Sequence, residues 1–130
     1  MSNSTQIVNL KGSGYALISI TGLTNATYKQ HVAAFINAND GPSSQEFSGS
    51  GEGKPMKQHY SQVVQLPASV EFDFKFSKDG GATLEPASRS QQTEEFMAPG
   101  ISVYKISSED AQDNDYNDTI MQMSVALVGS

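Results

Sequence analysis

The sequence contains no cysteine, two histidines and only eight lysines and arginines among its 130 residues. Without cysteine, disulfides and thiol chemistry are excluded, so packing alone must hold the fold together. The net charge of -6 and the pI of about 4.7 leave no broad basic patch, which argues against binding to nucleic acid or to an anionic membrane surface. No apolar run is long enough to span a bilayer, so we expect no membrane insertion.

The first six residues, Met-Ser-Asn-Ser-Thr-Gln, lack both the basic region and the apolar region of a secretory signal. We therefore expect cytoplasmic synthesis without a signal peptide, and any export would use a non-classical route that the sequence does not display. The histidines, His31 and His59, show no spacing to a serine and a carboxylate that is typical of a catalytic triad. The sequence gives no support to a triad hydrolase.

The chain has 11 glycines, 5 prolines and abundant serine and threonine, whereas leucine is scarce for a helical protein. The clearest local pattern is Val70-Glu71-Phe72-Asp73-Phe74-Lys75-Phe76, in which apolar and charged residues alternate with the period of a half-buried strand. A chain of 130 residues is large enough for one core. We predict an all-β fold, an antiparallel β-sandwich of about 8–9 strands, with residues 1–130 forming a single domain.

Individual segments carry more specific predictions. Apolar alternation predicts two strands within 7–23 and one each within 31–36, 60–66, 70–76, 101–106 and 121–127. Polar and glycine-rich composition predicts a hairpin loop at 24–28 and a long loop at 40–54. A strand at 82–84 is predicted to pair back across the turn at 79–81, whereas 88–95 is compatible with either a loop or a helical turn.

Residues 109–118, Glu-Asp-Ala-Gln-Asp-Asn-Asp-Tyr-Asn-Asp, hold four Asp, one Glu and two Asn, and no basic residue. Asp113, Asp115 and Asn117 occupy every second position, so their oxygens can turn toward one centre when the segment curls. Hard oxygen donors without cysteine or histidine favour calcium. Together with Glu109 and Asp118, the segment carries enough carboxylates to neutralise two divalent cations. Two ions would bring the net charge to about -2 from -6.

The segment does not fit the EF-hand pattern. A loop beginning at Asp113 would need glycine at its sixth position and glutamate at its twelfth, where this chain has Asp118 and Ser124. An acidic stretch of this kind is also what a solvated loop looks like. Apolar alternation on both sides places it between two strands of the fold, which favours metal binding over that alternative.

Ser108-Glu109-Asp110 followed by Asp113-Asn114-Asp115-Tyr116-Asn117-Asp118 resembles the signature of small bacterial calcium-dependent lectins of the LecB type. Those lectins bind fucose and mannose through two adjacent calcium ions. The match is dense over about eleven residues and specific in its order. The resemblance therefore implies a non-enzymatic lectin for fucosylated or mannosylated glycans, with two calcium ions per chain.

The resemblance also implies roles for individual residues. The implied metal ligands are Glu109, Asp113, Asp115, Asn117, Asp118 and, from an early hairpin, Asn25. The implied carbohydrate contacts are Asp110, Asp113, Asp115, Asp118, Asn25, and the two residues that tune sugar preference, Ala26 and Thr27. Tyr28, which follows them, is bulkier than the family pattern expects.

The C-terminus departs from the pattern. Family members end on a glycine, ten residues after the last Asp of the motif, whose carboxylate reaches a calcium ion of the neighbouring subunit. In this chain that position is Val128, and Gly129 and Ser130 follow. A homo-oligomer, most simply a dimer, is still expected because lectins gain avidity from it, but the way in which the terminus contributes is left open.

Other functions are compatible with parts of the pattern. One is a calcium-stabilised β-sandwich interaction module without sugar binding. Another is an enzyme that uses metal-activated water on a phosphate or glycosidic bond. A glycosidase that uses a pair of carboxylates is a further alternative, although carboxylates that ligate metal are not free for acid–base work. Residues 49–54, Gly-Ser-Gly-Glu-Gly-Lys, do not form a phosphate loop because Pro55 follows the lysine.

Overall fold

The computed structural model describes residues 3–110 and 118–128. Within these ranges the chain forms nine antiparallel β-strands and no helix: β1 Thr5–Leu10, β2 Tyr15–Ala38, β3 Gly41–Pro55, β4 Tyr60–Gln65, β5 Ala68–Ser77, β6 Glu85–Pro86, β7 Arg89–Ala98, β8 Ile101–Glu109 and β9 Thr119–Val128. The prediction of an all-β antiparallel fold with eight or nine strands is confirmed.

Strand β2 is the central strand of the fold because it takes part in both halves of the sheet. Its first part, from Tyr15 to Thr24, pairs with β9, and the stretch that ends at Ile20 also pairs with β4. Its second part, from Lys29 to Ala38, pairs with β5 and β3. In the strand order β1-β5-β2-β9-β8-β7, one half of the sheet contains β1 and β5 and the other contains β9, β8 and β7. The two halves meet near the middle of β2.

The core lies between the two halves and is built by period-two alternation. Strand β5 turns Val70, Phe72 and Phe74 inward, and each is at most 1% exposed. From the other half, β9 contributes Met121 and Met123, which are fully buried. Burial of each large apolar side chain contributes about 1.5–3 kcal/mol, so the strand pattern visible in the sequence is also the main source of stability.

Side-chain hydrogen bonds join the two outer strands of this order, β1 and β7. Gln92 Nε2 donates to the Ile7 carbonyl oxygen over 2.9 Å, and Gln6 Nε2 donates to Ser90 Oγ over 3.0 Å. Ser90 Oγ in turn donates to the Asn3 carbonyl oxygen over 2.6 Å. These bonds partner polar groups along two strand edges that would otherwise face solvent.

Several sequence predictions are confirmed. The first two strands flank a turn that contains Gly12 and Gly14, both with positive φ. The alternating segment around Phe72 is β5, and β8 and β9 lie on either side of the acidic segment. The acidic segment is therefore a connection between two strands that pair with each other.

The predicted hairpin loop at 24–28 is wrong, because these residues continue β2. The pairing of β2 with β3 shifts register between Thr24 and Ala26 and again between Ala26 and Gln30. This irregularity, where β2 exchanges partners, explains why short polar residues occupy the middle of a strand.

The predicted long loop at 40–54 is also wrong, because it is the strand β3. Only Phe47 in this strand is buried, and the rest of the strand is exposed or half-buried. A strand that packs one side chain into the core shows no apolar alternation, so its sequence looks like that of a loop.

Two smaller predictions also need revision. Glu85 and Pro86, rather than residues 82–84, pair back onto β5. Residues 88–95, whose sequence is compatible with either a loop or a helical turn, belong mostly to β7, an edge strand with little buried surface. Within the described residues, no helix combines the length and hydropathy needed to cross a membrane.

Candidate functional site

Backbone hydrogen bonds hold the two ends of the acidic segment together at one end of the sheet. Ser108, near the end of β8, pairs with Thr119 at the start of β9, and Asp118 N–H donates to the Ser108 carbonyl oxygen over 3.1 Å. Asn25 N–H donates to the Asp118 carbonyl oxygen over 3.0 Å. Three strands therefore fix the backbone at this end of the sheet, and the fixed backbone holds the side chains attached to it in place.

Glu109, Asp110 and Asp118 form a buried group of carboxylates, named the acidic cluster from here on. One carboxylate oxygen from each residue lies within 4.8 Å of the other two. The three residues are 1%, 8% and 8% exposed. Like charges at this separation repel by about 1 kcal/mol in water and by more away from it, so the arrangement favours a bound cation or a proton.

Glu109 carries the clearest sign of a missing partner. Its Oε1 is buried and accepts no hydrogen bond in the described structure. Its backbone is well held, because Ser88 N–H and Ser88 Oγ both donate to the Glu109 carbonyl oxygen, over 2.9 and 3.0 Å. A buried carboxylate oxygen without a donor is costly, and a hard cation is the partner that such an oxygen suits.

Asp110 is held by two groups. Gln30 Nε2 donates to Asp110 Oδ2 over 2.9 Å, and Asp110 N–H donates to Asp118 Oδ2 over 2.8 Å. Burial, followed by the neighbouring Asp118 carboxylate, raises the pKa of Asp110 to about 6, while the hydrogen bond from Gln30 acts in the opposite direction. A cation beside these carboxylates would favour their ionised forms.

Gln30 is a site residue that the sequence analysis missed. It is 1% exposed, and its Oε1 accepts a hydrogen bond from Thr119 Oγ1 over 2.8 Å. Both polar atoms of the amide are therefore hydrogen-bonded, the oxygen to Thr119 on β9 and the nitrogen to Asp110. A signal was available, because Gln30 continues the alternation of Val32 and Ala34, which places an amide on the inward face.

Of the three residues predicted from the early segment, Asn25 has a direct contact with the acidic cluster. Asn25 is joined to Asp118 through its backbone, and its Oδ1 accepts a hydrogen bond from Gly53 N–H over 2.8 Å. Ala26 is buried and Thr27 is exposed. Asn25 is thus adjacent to Asp118, and the roles of Asn25, Ala26 and Thr27 in binding stay predictions.

The remaining predicted ligands, Asp113, Asp115 and Asn117, lie in 111–117, outside the described residues. Of the predicted metal ligands with carboxylates, the structure places Glu109 and Asp118 together. It adds Asp110, predicted as a sugar contact, to the same group.

The donor set fits calcium. Calcium binds carboxylate oxygens at roughly 2.3–2.6 Å, so two oxygens on opposite sides of one ion lie about 5 Å apart. The separations within the acidic cluster, all at most 4.8 Å, are compatible with a shared ion. The unpartnered Glu109 Oε1 gives independent support, because a cation would supply the missing interaction. Neither histidine belongs to this group, as expected for a hard cation.

The fold of this chain is found in known proteins. Three solved lectins share the fold. The Ralstonia solanacearum high-affinity mannose-binding lectin is 20% identical, and the alignment covers 94% of this chain and 96% of that chain with a TM-score of 0.64. The Chromobacterium violaceum lectin CV2L in complex with alpha-methyl-fucoside is 19% identical, with 98% of this chain and 99% of that chain covered and a TM-score of 0.61, and the C-terminal domain of the BC2L-C lectin from Burkholderia cenocepacia is 23% identical, with 95% and 96% covered in the same order and a TM-score of 0.60.

No curated protein sequence shows a significant match to this chain. The family model described as fucose-binding lectin II (PA-IIL) matches residues 4–127, nearly the whole chain. The resemblance carried by residues 108–118 is thus extended to both halves of the sheet, and the protein belongs to the fucose-binding lectin II (PA-IIL) family.

Proposed function

We propose that this protein is a calcium-dependent, non-enzymatic lectin that binds fucose, mannose or related glycans through two calcium ions held by residues 109–118. The observation that carries the proposal is the acidic cluster, with three buried carboxylates and an unpartnered Glu109 Oε1. Membership of a sugar-binding family supports it. The names of two structural neighbours, which mention mannose and a fucoside, suggest the sugar class.

The chain's residues have separate tasks in this proposal. Glu109 and Asp118, with the predicted ligands Asp113, Asp115 and Asn117, hold the ions, and Asn25 adds a ligand from β2. When bound, calcium supplies hard coordination positions at which neighbouring sugar hydroxyls can replace water.

Asp110, fixed by Gln30, accepts a hydrogen bond from a sugar hydroxyl. Asp113, Asp115, Asp118 and Asn25 also contact the sugar, and Ala26 and Thr27 shape its surroundings. Affinity then depends on a few well-placed oxygens.

The proposed lectin is a homo-oligomer, in the simplest case a dimer. An exposed apolar patch on the first half of the sheet supports this, because Tyr15, Leu17, Val63, Ile101 and Val128 are large apolar residues that are all more than a third exposed. The strands β4, β2, β9 and β8 carry them side by side in register. Light scattering of the purified protein in calcium tests this part, and a monomer at all concentrations would contradict it.

A glycan array with and without EDTA tests the proposed function. We expect binding of fucosylated or mannosylated glycans in calcium, loss of that binding in EDTA and recovery when calcium is restored. Sugar binding that the chelator leaves unchanged would contradict the calcium-bridged mechanism. A protein whose melting temperature falls in EDTA, but which binds no glycan in calcium, would instead be a calcium-stabilised interaction module.

A further inference from the structure

Tyr28 is an exposed aromatic residue that the proposed function does not use. Its ring stacks on that of Phe76, with centroids 5.8 Å apart and planes inclined by 24°. Phe76 is 5% exposed, whereas Tyr28 is 39% exposed. The buried ring therefore supports an aromatic ring that still presents surface to solvent.

Tyr28 lies directly beside the acidic cluster. Gln30 Nε2 donates to the Tyr28 carbonyl oxygen over 3.2 Å and to Asp110 Oδ2 over 2.9 Å. Two acceptors of the same nitrogen can be no farther apart than the sum of these distances. The backbone of Tyr28 and the carboxylate of Asp110 are thus adjacent groups of one site.

The support beneath Tyr28 is part of the sheet. Phe76 lies opposite Gln30 in the pairing of β5 with β2, so the residue that holds Asp110 and the residue that supports Tyr28 are neighbours in register. Lys78 Nζ lies 5.8 Å from the centroid of the Phe76 ring, on the same aromatic pair. A ring held in this way loses little conformational freedom when a ligand covers it.

An aromatic face of this kind suits the apolar C–H face of a sugar ring, and the tyrosine hydroxyl adds a polar edge. We infer that Tyr28 forms a second subsite, which stacks against the sugar residue next to the one held at the acidic cluster. The protein therefore recognises an oligosaccharide of at least two residues more tightly than the free monosaccharide. This inference rests on the proposed function, since it needs a first sugar residue at the acidic cluster.

Calorimetry in saturating calcium tests the subsite. The probes are methyl α-fucoside, methyl α-mannoside, and a panel of oligosaccharides that carry the same residue at the non-reducing end. For the wild-type protein, we expect the best oligosaccharide to bind about threefold to tenfold more tightly than the matching methyl glycoside. This is the gain in affinity that one aromatic contact contributes. No oligosaccharide preference anywhere in the panel would overturn the inference.

Substitution of Tyr28 provides the residue-specific test. We expect Tyr28→Ala to remove the oligosaccharide preference and to leave the affinities for calcium and for the methyl glycosides unchanged. Tyr28→Phe, which keeps the ring, should retain most of the preference. If Tyr28→Ala instead weakens monosaccharide and oligosaccharide binding equally, Tyr28 acts on the acidic cluster through Gln30 and the subsite is wrong.

Phe35 offers a matched control, because it lies on the same strand, is 41% exposed and borders a separate surface groove with Asn37 and Glu71. We expect Phe35→Ala to bind every probe as the wild-type protein does, and a loss equal to that of Tyr28→Ala would overturn the assignment to Tyr28. Absence of binding to any sugar by the wild-type protein in calcium would count against the proposed function itself, which separates the two failures.

Discussion

Gln30 Nε2 donates a hydrogen bond of 2.9 Å to Asp110 Oδ2, and the two residues are 80 positions apart in the sequence. The other end of the same amide accepts from Thr119 Oγ1 over 2.8 Å. One buried side chain on β2 thus connects the start of β9 with the carboxylate that is proposed to contact the sugar.

Gln30→Met should destabilise the calcium-free protein. Methionine fills a similar volume, but it leaves Asp110 Oδ2 without its donor and Thr119 Oγ1 without its acceptor, both in buried residues. We expect a loss of about 1–3 kcal/mol in the free energy of unfolding, measured by denaturant titration in EDTA. Gln122→Met, an exposed position on β9, is the control and should change little. Equal stability of the two variants would contradict the role given to Gln30.

Glu109→Gln should affect stability and calcium binding in opposite directions. The amide removes one of three crowded charges and gives the buried position a neutral side chain. The calcium-free protein in EDTA should therefore gain about 1 kcal/mol or more in free energy of unfolding. Calcium affinity should fall at least about tenfold, because a charged ligand is lost.

Calorimetric titration with calcium and denaturant unfolding in EDTA measure these two effects. Glu95→Gln, an exposed glutamate on β7, removes the same charge away from the acidic cluster and should change neither quantity appreciably. A Glu109→Gln variant that binds calcium as tightly as the wild-type protein would show that Glu109 is not a ligand.

Asp79 should contribute stability that depends on pH in the acid range. Its Oδ1 accepts hydrogen bonds from Ser77 Oγ over 2.6 Å and from Thr83 N–H over 2.8 Å, which lower its pKa from the usual 3.8. Because the folded pKa lies below the unfolded value, this contribution is fully present above pH 3.8 and is lost as the pH falls through the folded pKa.

The Asp79→Asn variant should lack this part of the acid dependence. Denaturant unfolding of both proteins from pH 5 down to pH 2 gives the comparison, and NMR titration of the Asp79 carboxyl in the folded wild-type protein gives the shift directly. Stability curves that differ by a constant at every pH would show that Asp79 does not titrate as described.

Gly22→Ala should destabilise the core around Met56 and Met121. A Cβ at this position would lie 2.6 Å from Met56 Sδ and 2.7 Å from Met121 Sδ, so both methionines would have to move. We expect a loss of about 1–3 kcal/mol, as for other overpacked cores, in urea unfolding. Gly49→Ala is the matched control, because a Cβ at this position would lie no closer than 3.4 Å to any neighbouring atom, the nearest being Met56 Cγ. A variant at Gly22 that is as stable as the control would show that the methionines adapt without cost.

The fold was predictable from the sequence where one face of a strand is buried along its length. Around Phe72, the alternation of apolar and charged residues is a local pattern, and it identifies β5 without knowledge of its neighbours. The strands β3 and β7 were missed because most of their side chains face solvent. What makes them strands is pairing with β2 and β8, which is not visible in their own composition.

The sequence by itself determined the chemistry of the candidate site. A dense series of carboxylates and amides, without cysteine, histidine or lysine among them, favours a hard cation over a soft one as the proposed ligand. Only the tertiary structure decided which groups meet there: Glu109 Oε1 is buried, Asp110 lies close to Asp118, and the amide of Gln30 donates to Asp110. The physical reason is that a donor atom's affinity for a cation is a property of its residue type, whereas burial and hydrogen-bond partners depend on strand pairing between distant parts of the chain.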